Sequence, residues 1–195
     1  MARGRPSKKQ HIIDTAGLLF SELGYQATSI DVVVQTAGVS KPTVYNNFPS
    51  KLVLLHEWLI QQSKSILSMS LFDIAKLTSM QKIPQFSEKL GEQAVKTLVD
   101  GYTTLVEETA YIPAYRICIG ESQKLNRDVL AVFNRLDFEL DQKATEVCLA
   151  LINDPVLART ITVLCQQYVY NRVLNRHSVM SLDEILSLVG QLRLE

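Results

Sequence analysis

The sequence predicts an all-α fold in two parts, a small N-terminal unit of three helices and a larger C-terminal helical body. Three observations predict it. Apolar residues recur three and four apart along most of the chain, the spacing that gathers them on one helix face. No segment sustains the strand period of two. Gly, Pro and Ser interrupt the pattern at intervals of a helix length.

The first helix runs from about Lys8 to Leu23, with Ile12, Ile13, Ala16, Leu19, Phe20 and Leu23 on its apolar face and Gly24 stopping it. Thr28 or Ser29 caps a second helix carrying Ile30, Val33, Val34 and Ala37. Gly38 follows where a helix end favours a residue tolerant of left-handed backbone angles, and Val39 packs inward at the turn. Ser40 caps a third helix, with Pro42 in its first turn, where a missing N–H costs little. Val44 and Phe48 share its inner face, while Thr43, Tyr45, Asn46 and Asn47 point elsewhere. Pro49-Ser50-Lys51 ends that helix and opens a fourth, with Leu52, Leu55, Trp58, Leu59 and Ile66, which connects the two parts. Two short helices about a Gly-containing turn, the second with polar side chains outward, make a unit that presents a helix to a DNA groove.

In the body, Pro84 interrupts a weakly patterned stretch from Ser68 to Gln85. A long helix follows over Glu88–Thr109, with Leu90, Ala94, Leu98, Tyr102 and Leu105 on one side. Pro113 marks another start, followed by Tyr115 and Ile119 and a break near Asn126. The longest apolar face comprises Val129, Leu130, Phe133, Leu136, Leu140, Ala144, Val147, Leu151 and Ile152. Asn153-Asp154-Pro155 turns the chain into a second long face of Leu157, Ile161, Leu164, Cys165, Tyr168, Val169 and Leu174. Ser181 with Glu184 is a capping box that opens a last helix carrying Ile185, Leu186, Leu188, Val189 and Leu192.

The composition is that of a globular protein, with 47% apolar and 21% charged residues. No apolar run approaches the ~20 residues of a membrane span. The N-terminus, Met-Ala-Arg-Gly-Arg-Pro-Ser-Lys-Lys, lacks the apolar stretch of a signal peptide, so a cytoplasmic location is expected. Cys118, Cys148 and Cys165 are far apart in apolar, helix-like surroundings, which suits buried small hydrophobes; a redox sensor is the other reading. His11, His56 and His177 are scattered, and neither a metal-ligand spacing nor a Gly-rich phosphate loop nor a nucleophile elbow occurs, so no metal, cofactor or catalytic residue is expected. The net charge is zero but unevenly spread. Residues 1–51 carry six basic and three acidic side chains; the remainder carries fourteen and seventeen. A basic end on an acidic body orients a molecule on DNA and limits non-specific binding by the body.

The residues Ile12–Phe20, Gly24–Ile30, Ala37–Lys41 and Tyr45–Lys51 together resemble the DNA-binding domain of the TetR family of transcriptional repressors. The resemblance covers about the first quarter to third of the chain, with Val33-Val34 in place of a frequent Ile-Ala pair and Asn47 in place of a frequent His or Tyr. It implies an N-terminal helix-turn-helix DNA-binding domain over residues 10–55 and a C-terminal helical ligand-binding and dimerisation domain over 56–195. Lys41, Pro42, Thr43 and Asn46 would approach base edges. Thr28, Ser29, Tyr45, Asn47 and Lys51 would meet phosphates. Ahead of them, residues 1–9 form a basic arm. Its Arg3-Gly4-Arg5-Pro6 resembles an AT-hook core that enters a minor groove, with Lys8 and Lys9 adding phosphate neutralisation; the other reading is a non-specific tail.

The expected partners are palindromic double-stranded operator DNA, a second copy of the chain, and a small hydrophobic effector, with no membrane. The dimer is expected from the helices over about Arg127–Ile152 and Pro155–Arg176. A mostly apolar effector pocket is expected from Trp58, Leu98, Tyr102, Tyr115, Arg116, Ile119, Tyr168 and Asn171, a lining suited to a neutral or weakly acidic molecule. Two rival readings are an inducer-independent, nucleoid-organising DNA-binding dimer with a fully packed body, and a helical enzyme with an appended helix-turn-helix.

Overall fold

The computed structural model describes residues 7–72, 88–152, 154–174 and 180–191. These contain α1 (Lys8–Ala27), α2 (Ile30–Ala37), α3 (Lys41–Asn47), α4 (Lys51–Leu67), α5 (Glu88–Glu108), α6 (Tyr111–Gly120), a 3-10 turn (Ser122–Lys124), α7 (Arg127–Ile152), α8 (Pro155–Val173) and α9 (Leu182–Gln191). No strand occurs among them. The expected features at Arg3, Arg5, Pro84, Asn153, Arg176 and Leu192 lie outside the described residues.

The helix boundaries follow the local chemistry. Ser7 caps α1, accepting from the Gln10 N–H. The helix does not stop at Gly24 but breaks there, at φ 82°, and resumes for one turn to Ala27. Leu23, expected on the buried face, is 50% exposed; the axis bends at the next residue, and burial continues instead through Tyr25. Asp154 caps α8 by accepting from the N–H groups of Val156 and Leu157. At α9 the reciprocal pair forms as the spacing predicts: Glu184 N–H donates to Ser181 Oγ, and Ser181 N–H donates to Glu184 Oε2.

The chain divides into two compact units. The first comprises residues 1–66 and 110–136. In it α1 packs on α2 and α6, and α2 packs on α3. Its core holds Ile12, Ile13, Ala16, Phe20, Val33, Val44, Phe48, Leu55, Trp58 and Leu59, together with Tyr111, Ile117 and Phe133. Residues 110–136 thus belong with the first four helices, although the sequence groups them with the C-terminal body.

The second unit comprises residues 67–109 and 137–195. Here α5, α8 and α9 pack against one another around Ala94, Leu98, Tyr102, Leu105, Ile161, Cys165, Ile185 and Val189. The long apolar face of α7 is covered within the chain itself: Val129, Phe133, Leu136, Leu140, Ala144, Val147 and Ile152 are all buried. It is therefore not the surface left for a second copy. The large apolar side chains that remain exposed on α7 and α8 are Phe138, at 62%, and Val156, at 78%.

Candidate nucleic-acid interface

The helix-turn-helix is assembled by three caps. Ser29 Oγ accepts from Val32 N–H and starts α2. Gly38, at φ 62° and ψ 33°, ends it in the left-handed region, where a side chain is disfavoured; Gly38 N–H bonds to Gln35 O and Val39 N–H to Val34 O. Ser40 Oγ accepts from Thr43 N–H and starts α3, with Pro42 in the first turn. Val44 and Phe48, both fully buried, anchor α3 from its inner side. The His11 ring lies 3.0 Å from Ala37 O through Nε2, which ties α1 to the end of α2. That contact had no sequence signal, because His11 and Ala37 belong to different helices.

The outward side of α3 carries Lys41, Pro42, Tyr45 and Asn46, all exposed. Lys41 pairs with Asp31 at 2.7 Å, and this hydrogen bond raises the lysine's pKa. Both side chains are more than half exposed, so the pair is worth little and leaves Lys41 able to exchange Asp31 for a base or phosphate. Thr43 is half-buried, with its hydroxyl 2.7 Å from Ser40 Oγ. Tyr45 is 44% exposed.

Three expected phosphate contacts are placed differently. Thr28 is wholly buried, and its hydroxyl donates to Gly24 O at 2.8 Å, so it holds the kink in α1 and cannot reach a phosphate. Asn47 is half-buried and donates from Nδ2 to Thr43 O at 2.8 Å, which caps its own helix. Lys51 is also half-buried, with Nζ donating to Tyr25 O at 2.8 Å and lying 4.2 Å from the Tyr25 ring centroid. Burial lowers the Lys51 pKa. Ser29 remains exposed. Of the arm, Lys8 and Lys9 are exposed in the first turn of α1, and Lys9 pairs with Glu57 at 3.4 Å; Arg3 and Arg5 lie outside the described residues.

The eight expected pocket residues fall in two units. Trp58, Tyr115, Arg116 and Ile119 belong to the first. The Trp58 indole fills the space over Gly17 and meets the Phe20 ring at 5.9 Å between centroids; it is helix-packing core. Tyr115 stands against Tyr111 and Phe133, while Arg116 and Ile119 face solvent. Leu98, Tyr102, Tyr168 and Asn171 belong to the second unit. There Tyr102 meets Phe72 at 5.0 Å and Tyr170 at 6.0 Å, both edge-on. Tyr102 is fully buried, yet its hydroxyl has no hydrogen-bond partner among the described residues. Burial, and then the neighbouring Tyr170, Asp141, Cys165 and Asp137, push its pKa well above the usual phenol value.

All three cysteines are buried free thiols, and burial pushes Cys118 and Cys165 up to about 12 and Cys148 to about 11. Among the described residues no cluster of His, Cys, Asp and Glu could hold a metal ion, and no helix is long and apolar enough to cross a membrane.

Residues 12–58 match the model of the bacterial regulatory proteins of the tetR family. No curated protein sequence matches the chain. Solved structures match it nearly end to end. A TetR transcriptional regulator from Legionella pneumophila has a TM-score of 0.65 at 16% identity, with 97% of this chain and 98% of that one covered. The reduced form of NemR from E. coli has a TM-score of 0.63 at 14% identity, with 94% and 95% covered. A transcriptional regulator from Saccharomonospora viridis, solved in complex with choline, has a TM-score of 0.62 at 18% identity, with 93% of each covered. Residues 12–58 thus match the DNA-binding domain of that family, and nearly the whole chain shares the fold of these solved regulators.

Proposed function

We propose that the protein represses transcription by binding a palindromic operator as a homodimer, and that a small hydrophobic effector releases it. The observation that carries the DNA reading is the row Lys41, Pro42, Tyr45 and Asn46 on α3. These side chains are exposed on a short helix whose other side is locked into the core by Val44 and Phe48. A rigid helix with short polar and basic side chains outward reads base edges, and Asn46 has the donor–acceptor pair that matches adenine. Ser29 and Tyr45 flank it as phosphate contacts.

Residues 10–55 supply the DNA-binding domain in this reading and residues 56–195 the effector-binding and dimerisation domain. Phe138 and Val156 support dimerisation through α7 and α8, because both stand uncovered in the second unit. Two recognition helices related by a two-fold axis then read half-sites one DNA turn, about 34–36 Å, apart. An effector that binds better to a conformer with another spacing lowers DNA affinity by linkage.

The effector reading rests on the Tyr102 hydroxyl. A buried phenol without a partner costs free energy unless a ligand supplies one. Phe72 and Tyr170 give the surroundings aromatic faces, and the nearby Asp141 is ion-paired with Arg159. The ligand class that fits is an apolar molecule with one hydrogen-bonding group, within the neutral or weakly acidic class expected from sequence.

Selection of duplexes from a random pool tests the DNA reading. Recovery of a palindrome with half-sites one turn apart supports it, and enrichment of no sequence contradicts it. Tyr102→Phe tests the effector reading. It should leave DNA affinity intact and weaken release by whichever apolar compounds of a screen release the wild type; equal release of both proteins contradicts that site.

A further inference from the structure

The kink in α1 creates a local problem whose solution comes from a distant part of the chain. Gly24, at φ 82° and ψ 171°, breaks the helical ladder, so the Tyr25 N–H loses the Ser21 carbonyl that an unbroken helix would offer. Glu121, just past the end of α6, provides the replacement: its Oε1 accepts from Tyr25 N–H at 3.2 Å. The carbonyl end of the same turn is held by Lys51, which donates to Tyr25 O at 2.8 Å and Gln26 O at 3.4 Å. One acid and one base thus cap the two ends of the turn Tyr25–Ala27. The other carboxylate oxygen of Glu121, Oε2, is buried without a hydrogen-bond partner. The cost of burying that oxygen is offset by the Tyr25 N–H bond to Oε1 and by the nearby Lys51 cation.

The turn leads directly into the DNA-binding helices. Thr28, the next residue, bonds back to Gly24 O, and Ser29 caps α2. Lys51 is the first residue of α4, which Ser50 caps by accepting from Val53 N–H, so the same turn is tied to the start of that helix. Given the DNA-binding reading above, we propose that Glu121 is a positioning residue for operator binding: through the Tyr25 amide it fixes the entry into α2 and, through the shared turn, the start of α4. Glu121 needs no contact with DNA for this.

The sign of the effect separates positioning from plain electrostatics. Glu121 is a negative charge in the same compact unit as the helix-turn-helix, so removing it should strengthen binding if charge alone mattered. Positioning requires the reverse when the acceptor is lost, and near-recovery when an uncharged acceptor replaces it. The test uses the full-length protein, a duplex recovered by selection with the wild type, and hydrogen exchange of the Tyr25 amide in the free protein. Glu121→Ala and Glu121→Met, the latter of similar length but without an acceptor, should exchange the Tyr25 amide faster. They should bind the duplex about tenfold more weakly, the scale of one hydrogen bond to a charged group, with an unchanged salt slope because no phosphate contact is removed. Glu121→Gln should keep the Tyr25 protection and bind within about twofold of wild type or tighter. Unchanged Tyr25 exchange in Glu121→Met overturns the hydrogen bond itself. Wild-type or tighter DNA binding by Glu121→Met overturns the positioning role. A wild type that enriches no duplex contradicts the DNA reading instead, and the exchange measurement still reports on the turn.

Discussion

Gly17→Ala should destabilise the first unit, against the usual direction of a Gly→Ala change inside a helix. Gly17 lies in α1, and a Cβ built there collides with the Nε1 and Cδ1 atoms of the Trp58 indole on α4. Trp58 is only 3% exposed, so the ring has no open side into which to retreat. Replacing Gly by Ala in a helix gains roughly 0.8–1 kcal/mol from propensity. Overpacking a filled core costs typically about 1–3 kcal/mol, and an overlap with a rigid two-ring system belongs at the upper end. The net expectation is a loss of about 2 kcal/mol, a fall in Tm of roughly 4–8 °C for a chain of this size. Gly120→Ala is the internal control, since nothing lies within 4 Å of its Cβ; it should be neutral or stabilising. The chain has a single tryptophan, so its fluorescence reports this one site and should shift to the red in Gly17→Ala. Pairing the change with Trp58→Phe should give a coupling that recovers part of the loss. A Gly17→Ala protein as stable as wild type, with unshifted emission, would refute the packing of α1 on α4.

Other predictions follow from the same geometry. Tyr45→Phe should weaken binding to a selected duplex without altering the bases preferred, because it removes one phosphate contact; a changed consensus contradicts that role. Phe138→Glu combined with Val156→Glu should yield monomers by sedimentation and abolish binding to a palindrome, whereas an intact dimer contradicts the proposed interface. The three thiols should resist an aromatic disulfide reagent at roughly pH 8 in the folded protein and react on unfolding, since burial keeps them protonated. Their folded pKa values lie above the ordinary 9.0, so the unfolded chain loses these protons first and stability should fall as pH rises from 9 toward 11; a flat profile there contradicts the burial.

What the sequence revealed was local. The capping residues Ser29, Ser40 and Ser181, the left-handed Gly38 and the inward pair Val44 and Phe48 act over three or four residues, within reach of periodicity and punctuation. What it hid was long-range. Lys51 looked like a phosphate contact because its place at a helix start is visible, but the Tyr25 and Gln26 carbonyls that hold it are not. Thr28 stands level with Ser29 as a cap for α2 in the sequence, which does not show that Thr28 turns inward and bonds back to Gly24. Trp58 resembled a pocket aromatic because nothing near it in sequence discloses that Gly17 makes room for it. Glu121 carries no local signal at all, since its partner, Tyr25, is in another helix. The body was legible as helices but not as a site, because an aromatic at helical spacing reads the same in a packed core and in a binding cavity.

The central claim is that the exposed row of α3 reads DNA sequence, and selection of duplexes from a random pool by wild type and Asn46→Ala in parallel tests it most directly. The wild type should enrich a palindrome with half-sites one turn apart. Asn46→Ala should relax or change one position in each half-site, by about 1–3 kcal/mol of discrimination, while leaving the spacing intact. Enrichment of the same motif with the same selectivity by both proteins would contradict the assignment of Asn46 as a base reader.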